Sequence, residues 1–258
     1  MKKIEKLLTL SINTARSALT KLRELDENGT KDYSFSSDIP REIKATADTI
    51  IEDLIIRNIG STGIDILSEE CGLIKGSNLS TLRFIIDPID GSVNFVRGIL
   101  NCSVSIALFD NDKPVFGVLA SYPSGNIAWG GKDIGAFLDN IKLNVSMIDD
   151  PKKGILCTGF PSRFSFDDKS ISSYMNLMSK FGKTRMLGSA SQSLLYVAKG
   201  SVEAYLEKSI MIWDVAAGIA IIEGAGGKFD IDVKKDYRFP INVFAHNALM
   251  DNDLMRSK

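Results

Sequence analysis

The chain has 258 residues, 44% hydrophobic and 24% charged, enough for one large domain or two small ones with a sizeable core. Its 31 basic and 32 acidic residues leave a formal net charge of -1, so there is no electrostatic case for binding nucleic acid or an acidic membrane surface. Three cysteines without C-x-x-C spacing (Cys71, Cys102, Cys157), no signal-peptide pattern at the N-terminus and no apolar run near the roughly 18 residues of a membrane span argue for a cytoplasmic chain without a disulfide framework or a zinc site.

Ile4, Leu8, Ile12, Ala15, Leu19 and Leu22 recur at steps of three and four, which predicts an amphipathic helix over 4–25, stopped by Asn28-Gly29. Residues 29–42 are polar and irregular and read as a long loop. A second helix is predicted over 45–58, with Ile51, Leu54 and Ile55 inward and Asp48 and Glu52 on one face. Apolar runs at 64–67 and 82–86 read as buried strands whose carboxyl ends carry acids, Ser68-Glu69-Glu70 and Asp87. Cys102, Val104, Ile106 and Leu108 alternate, Asp110-Asn111-Asp112 turns, and 115–120 returns as the second strand of a hairpin. Short strands follow at 127–129, 136–138 and 155–157. Helices are predicted over 168–180 and 189–199, the latter closed by Gly200, then a strand over 202–206, a helix over 214–223 ended by Gly224, Gly226 and Gly227, and a late strand over 241–245. A helix pair, an antiparallel meander and then αβ units imply stacked layers of helices and sheets.

Three acidic islands carry the chemistry: Ser68-Glu69-Glu70, Asp87-Pro88-Ile89-Asp90-Gly91-Ser92 and Trp213-Asp214. In the second, Pro88 is expected to end the strand, because it offers no ladder donor, and Gly91 to permit the turn. Asp87, Asp90 and a backbone carbonyl, most simply Ile89, can then face a common point. The N–H groups of Gly91 and Ser92 can cradle an anion, helped by a helix starting near Ser92. Asp214 would either complete the cluster or cap its own helix. Converging Glu69, Asp87, Asp90 and Asp214 without a cation costs about 1 kcal/mol per pair at roughly 4 Å in water, and about 4 at an effective dielectric of 20. Two or three Mg²⁺ ions, or Mn²⁺, would reverse that sign, and oxygen-only ligation suits these ions better than zinc. The single histidine, His246, lies far from the islands in sequence and reads as a structural residue.

These islands, with Ala45-Thr46-Ala47-Asp48, Arg185-Met186-Leu187-Gly188-Ser189-Ala190, Glu207 and Glu223-Gly224-Ala225-Gly226-Gly227, occur in an order that resembles the inositol monophosphatase family, from about residue 45 to 247. That superfamily also holds fructose-1,6-bisphosphatases and bisphosphate nucleotidases. The resemblance implies a five-layered αβαβα sandwich spanning 1–258 as a single domain, with an N-terminal part over about 1–145 and a C-terminal part over about 146–258. It implies a homodimer and Mg²⁺-dependent, Li⁺-sensitive hydrolysis of a phosphate monoester such as inositol 1-phosphate. By the family's pattern Glu69, Asp87, Asp90, Asp214 and the Ile89 carbonyl bind metal. Asp48 and the Ser92 hydroxyl orient and deprotonate the attacking water, with Glu69 facing a third, looser metal. Gly91 and Ser92 hold the phosphate, and Asp90, Ala190, Glu207 and Asp214 line the pocket for the rest of the substrate. Another sugar phosphate, fructose 1,6-bisphosphate, histidinol phosphate or a 3′-phosphonucleotide would suit the same metal site. So would a regulatory protein on this fold, since some bacterial members act in transcription complexes.

The family mostly has Thr where this chain has Ser92, which keeps the hydroxyl and loses a stiffening methyl. Lys208, beside Glu207, offers a cation to a second acidic group of a substrate or stands solvated, Arg185 contacts substrate, a partner subunit or a surface acid, and the 29–42 loop departs from the family's pattern. Asp230-Ile231-Asp232-Val233 looks like an aspartate-nucleophile motif, but too little chain follows it to build the domain that motif requires, and it reads as turn chemistry.

Overall fold

Two helices flank one face of a large sheet, and their apolar faces are the reason. The first, α1 (Lys2–Glu27), buries Leu8, Ala15, Leu19 and Leu22; the second, α2 (Thr46–Gly60), buries Ile51, Ile55 and Ile59. The structure is a computed structural model and describes residues 2–35, 43–160, 164–232 and 239–250. Between these helices, the described part of the expected loop includes two paired strands. Strand β1 (Tyr33–Phe35) pairs antiparallel with β2 (Ile43–Ala45), and residues 36–42 lie outside the described residues.

The large sheet is built from β3 (Asp65–Ser68), β4 (Gly72–Ile74), β5 (Leu82–Asp90), β6 (Cys102–Asp110), β7 (Lys113–Tyr122), β8 (Ile127–Gly131), β9 (Gly135–Leu138) and β10 (Ile141–Lys142). Its order is β10-β9-β8-β7-β6-β5-β3-β4, antiparallel except where β3 runs parallel to β5. A short helix, α3 (Ser92–Val96), follows β5. The second sheet has the order β12-β11-β13-β15-β14, from β11 (Ile155–Thr158), β12 (Lys183–Met186), β13 (Ala204–Ile210), β14 (Lys228–Asp232) and β15 (Ile241–His246). A 3-10 turn spans Pro151–Lys153, and the remaining α-helices among the described residues are α4 (Asp168–Met178), α5 (Ala190–Ala198) and α6 (Ile212–Gly224).

Three apolar cores define five layers. Leu22 and Ile51 pack on Phe84, Ile106 and Phe116 from one face of the large sheet. From its other face Ile85 and Ala107 meet Leu194 of α5 and Ile219 of α6, which also pack on Tyr205 and Val243 of the second sheet. Leu156, Leu206 and Phe244 on that sheet's outer face are covered by Tyr174 and Leu177 of α4. The result is the αβαβα sandwich. Helix α6 lies between the two sheets, which is why Val215 to Ile222 is apolar on every side and shows no amphipathic stripe.

The expectation that Pro88 ends its strand is not met. β5 continues through Pro88 to Asp90, and its register against β6 shifts there: Asp87 lies opposite Ser105 and Asp90 opposite Ser103. Three steps on β5 face two on β6, so one extra residue is accommodated as a bulge, a place where a proline's missing N–H does no harm. The faces agree, since Ile86 and Ile89 both join the core beneath α1 and α2. In a regular strand residues three apart point to opposite faces. The bulge puts Asp87 and Asp90 on the same one.

The middle layer is held close to the large sheet by Gly117 of β7, where an added Cβ would lie 2.1 Å from the Ala217 carbonyl oxygen of α6. Gly117→Ala must push α6 away from the sheet, and overpacking of this kind costs about 1–3 kcal/mol. The variant is expected to melt several degrees below wild type in a calorimetric scan.

Candidate metal centre

The topology delivers the acidic islands to one place. β3 and β5 are parallel neighbours with Ser68 opposite Ile86, so Glu69, just past the end of β3, comes beside Asp87 of β5. Asp214 comes from the first turn of α6. It does not cap that helix with its own backbone, because Met211 is the N-cap and donates its N–H to Asp214 Oδ2 (3.1 Å). Asp87, Asp90 and Asp214 each bring a carboxylate oxygen within 4.8 Å of the others. Glu69 stands beside this triad, half-buried, and its charge is felt by Asp87.

Asp48 sits in the first turn of α2. Its Oδ2 accepts the Ala45 N–H (3.0 Å) and its Oδ1 accepts the Ser92 hydroxyl (2.8 Å). The same hydroxyl lies 2.8 Å from the Ile89 carbonyl oxygen, so its one proton can serve either acceptor. Gly91 caps α3 at φ +88°, and the Phe95 N–H returns to its carbonyl (3.0 Å). An L side chain at Gly91 would be strained by that φ and crowded by the Gly188 and Asn101 carbonyls at 3.1 and 3.2 Å.

Asp90 is held by the start of α5. It accepts the Ser191 N–H (2.8 Å), the Ala190 N–H (3.3 Å) and the hydroxyls of Ser189 and Ser191. Asn94 and Asn101 fasten the turn before α5 by donating to the Leu187 carbonyl at 2.8 and 2.9 Å. On the second sheet, parallel pairing of Thr158 with Leu206 brings Gly159 beside Glu207, where a Cβ would lie 2.7 Å from the carboxylate. Glu207 is buried, and Tyr205 donates its hydroxyl to Oε2 (2.7 Å). Strand alternation puts Lys208 on the face of β13 opposite Glu207, which removes it from the pocket. Arg185 is exposed on the edge strand β12 and donates to the Thr184 carbonyl (2.9 Å). His246 is buried at the end of β15, stacked on Phe244 at 4.8 Å. Asp230 and Asp232 are exposed on β14, and Val233 lies outside the described residues.

Burial is the largest influence on every acid of the cluster, and it pushes each carboxyl above its ordinary range. For Asp87 the charges of Glu69, Asp90 and Asp214 add to burial; for Asp214 those of Asp90 and Glu207; for Glu69 those of Asp214 and Asp48. Asp90 is raised by burial and partly compensated by Ser189 and Ser191. Asp48 is pushed up to about 7 against the pull of its hydrogen bonds from Ser92 and Ala45, and Glu207 to about 7 against that from Tyr205. Among the described residues no Lys or Arg forms an ion pair with Asp87, Asp90 or Asp214. Asp87 Oδ1 is fully buried without a hydrogen-bond partner. An orphaned carboxylate oxygen within an all-oxygen cluster is what a hard divalent cation such as Mg²⁺ or Mn²⁺ fits.

Sequence reasoning left Ser189, Ser191, Tyr205, Asn94 and Glu52 without a role. Ser189 carried a signal, since it caps α5 by accepting the Gln192 N–H (3.3 Å). Tyr205 stands two residues before Glu207, on the same face of β13, and Glu52 shares a helix face with Asp48, so each had a local signal. Ser191 and Asn94 act on residues distant in sequence.

The sequence model of the inositol monophosphatase family matches residues 3–254. The protein named Nus factor SuhB in Pasteurella multocida is 31% identical over 230 residues, 86% of this chain and 83% of that one. The fructose-1,6-bisphosphatase/inositol-1-monophosphatase of Thermococcus kodakarensis is 26% identical over 259 residues, 96% of each. The crystal structure of the extragenic suppressor protein suhB from Bartonella henselae superposes with a TM-score of 0.84 at 28% identity, covering 94% of both chains.

The raised carboxyls fix the sign of a pH effect. Between about 4 and 7 the native cluster holds protons that the unfolded chain releases, so metal-free stability falls as pH rises through that window. The metal-free protein is expected to melt at a lower temperature at pH 8 than at pH 5.5, and added Mg²⁺ to raise the pH 8 value most. Equal melting temperatures at the two pH values without metal would show that these acids ionise normally.

Proposed function

The chain belongs to the inositol monophosphatase family, and from that premise we propose that it is a Mg²⁺-dependent phosphomonoesterase acting on a small polyol or sugar phosphate of the inositol 1-phosphate kind. The observation that carries this reading is the buried, unpartnered Asp87 Oδ1 within the triad of carboxylates, beside the Asp48–Ser92 hydrogen bond.

In this reading Glu69, Asp87, Asp90, Asp214 and the Ile89 carbonyl hold two or three divalent cations. Bound cations neutralise phosphate oxygens and lower the pKa of water. Asp48 and Ser92 orient the attacking water and take up its proton. The Gly91 and Ser92 N–H groups at the start of α3 hold the phosphate. Asp90, Ala190, Glu207 and Asp214 line the space for the rest of the substrate. Tyr205 engages Oε2 of Glu207, and Oε1, which accepts no hydrogen bond among the described residues, suits a hydroxyl donor. The parts over about 1–145 and 146–258 act as one domain, because Asp87 and Asp90 come from the first and Asp214 from the second. We also propose a cytoplasmic homodimer sensitive to Li⁺. Among the described residues no helix is long and apolar enough to cross a membrane.

Similarity to the protein named Nus factor SuhB supports a second reading, in which the fold serves as a binding or regulatory module. The two separate in a panel of inositol 1-phosphate, fructose 1,6-bisphosphate, histidinol phosphate and a 3′-phosphonucleotide, with Mg²⁺ and with or without Li⁺. One preferred substrate supports the enzyme; equal low rates on all favour the regulatory reading. Asp87→Asn and Asp214→Asn are each expected to abolish Mg²⁺-dependent phosphate release while remaining folded. Full activity in either would sink the site assignment.

A further inference from the structure

Helix α2 carries a second buried acid one turn beyond Asp48. Glu52 is 1% exposed, and its carboxylate gathers donors from the segment that bears Glu69. Oε1 accepts the N–H groups of Glu70 and Cys71, each at 3.2 Å, and the Ser68 hydroxyl. Oε2 accepts the Cys71 thiol at 2.9 Å. These donors lie on both sides of Glu69, at 68, 70 and 71, and none comes from Glu69 itself. The segment is the tight connection between β3 and β4, where Ser68 pairs with Gly72 and the chain reverses. A turn of that length has few ways to fix the direction of a side chain at its corner. A buried carboxylate that ties down the residues before and after that corner is one of them.

We propose that Glu52 is a positioning residue that aims the Glu69 carboxylate at the triad of Asp87, Asp90 and Asp214. It rests on the reading that Glu69 holds a divalent cation. One helix thereby sets two distances: Asp48 reaches Ser92 on the phosphate turn, and Glu52, four residues on, holds the Glu69 turn. Groups that orient metal ligands commonly change metal affinity by about 10–100-fold when removed.

The test is Mn²⁺ binding to the metal-free protein, followed by titration calorimetry with no substrate present. Wild type is expected to bind. Glu52→Ala, with an unchanged far-ultraviolet circular dichroism spectrum and a cooperative melt, is expected to bind about 10–100-fold more weakly. Glu52→Gln, which keeps one acceptor oxygen, should recover part of that loss. A folded Glu52→Ala variant with wild-type Mn²⁺ affinity would overturn the proposal. Should that variant not fold, Ser68→Ala removes one donor and leaves the carboxylate; a severalfold weaker affinity supports the clamp, and an unchanged one overturns it. Glu69→Gln separates this idea from the one beneath it. If Glu69→Gln binds Mn²⁺ as tightly as wild type, Glu69 is not a ligand and the underlying assignment fails.

Discussion

Crowded, buried negative charge is the constraint on which the rest of this structure depends. Asp87, Asp90 and Asp214 lie within a few ångströms of one another with no basic side chain among the described residues paired to them. The protein's own compensation is partial and comes from serine hydroxyls and from its backbone. The N-termini of α2, α5 and α6 are brought to the cluster, each with an acid in or against its first turn, so their positive dipole ends face the carboxylates. What remains uncompensated is a demand for a hard cation.

The candidate site draws on both sheets and the layer between them. The large sheet supplies Asp87 and Asp90 at the end of β5, with Glu69 just past the end of neighbouring β3. The layer between the sheets supplies Asp214 and the serines that grip Asp90. The second sheet supplies Glu207, held by Tyr205. Gly117, Gly159 and Gly188 mark places where the chain lies against a backbone carbonyl, a carboxylate and the Asn94 amide closely enough to leave no room for a Cβ. Close contact between layers and convergence of charge are thus two sides of one arrangement.

Much of this was legible in the chain because the informative residues are consecutive. Asp87 to Ser92 reads as a string, and the long helices and the β6–β7 hairpin follow from periodicity. Other parts were hidden for identifiable reasons. The short strands β1, β4, β10 and β12 have too few residues to show alternation. Glu52 shares a helix face with Asp48, which sequence reveals, but its donors lie 16 to 19 residues away in a turn. Lys208 adjoins Glu207 in sequence and leaves it in space, because neighbours on a strand point apart. Pro88 reads as a stop in the sequence and marks a bulge in the fold, since the absence of a donor is compatible with both and only the partner strand decides.

That bulge gives the hexapeptide an unusual intolerance. Surface turns commonly tolerate the gain or loss of a residue. Between Asp87 and Asp90 the residue count decides the faces: with one bulged residue, three steps along β5 act as two, so the aspartates share one face and Ile86 and Ile89 the other. One further residue inserted beside the same bulge would make three effective steps and turn Asp90 toward the core beneath α1 and α2. A natural or engineered relative could retain both acids in its alignment and still lack the centre. Counting the residues between the two aspartates is therefore as informative as identifying them.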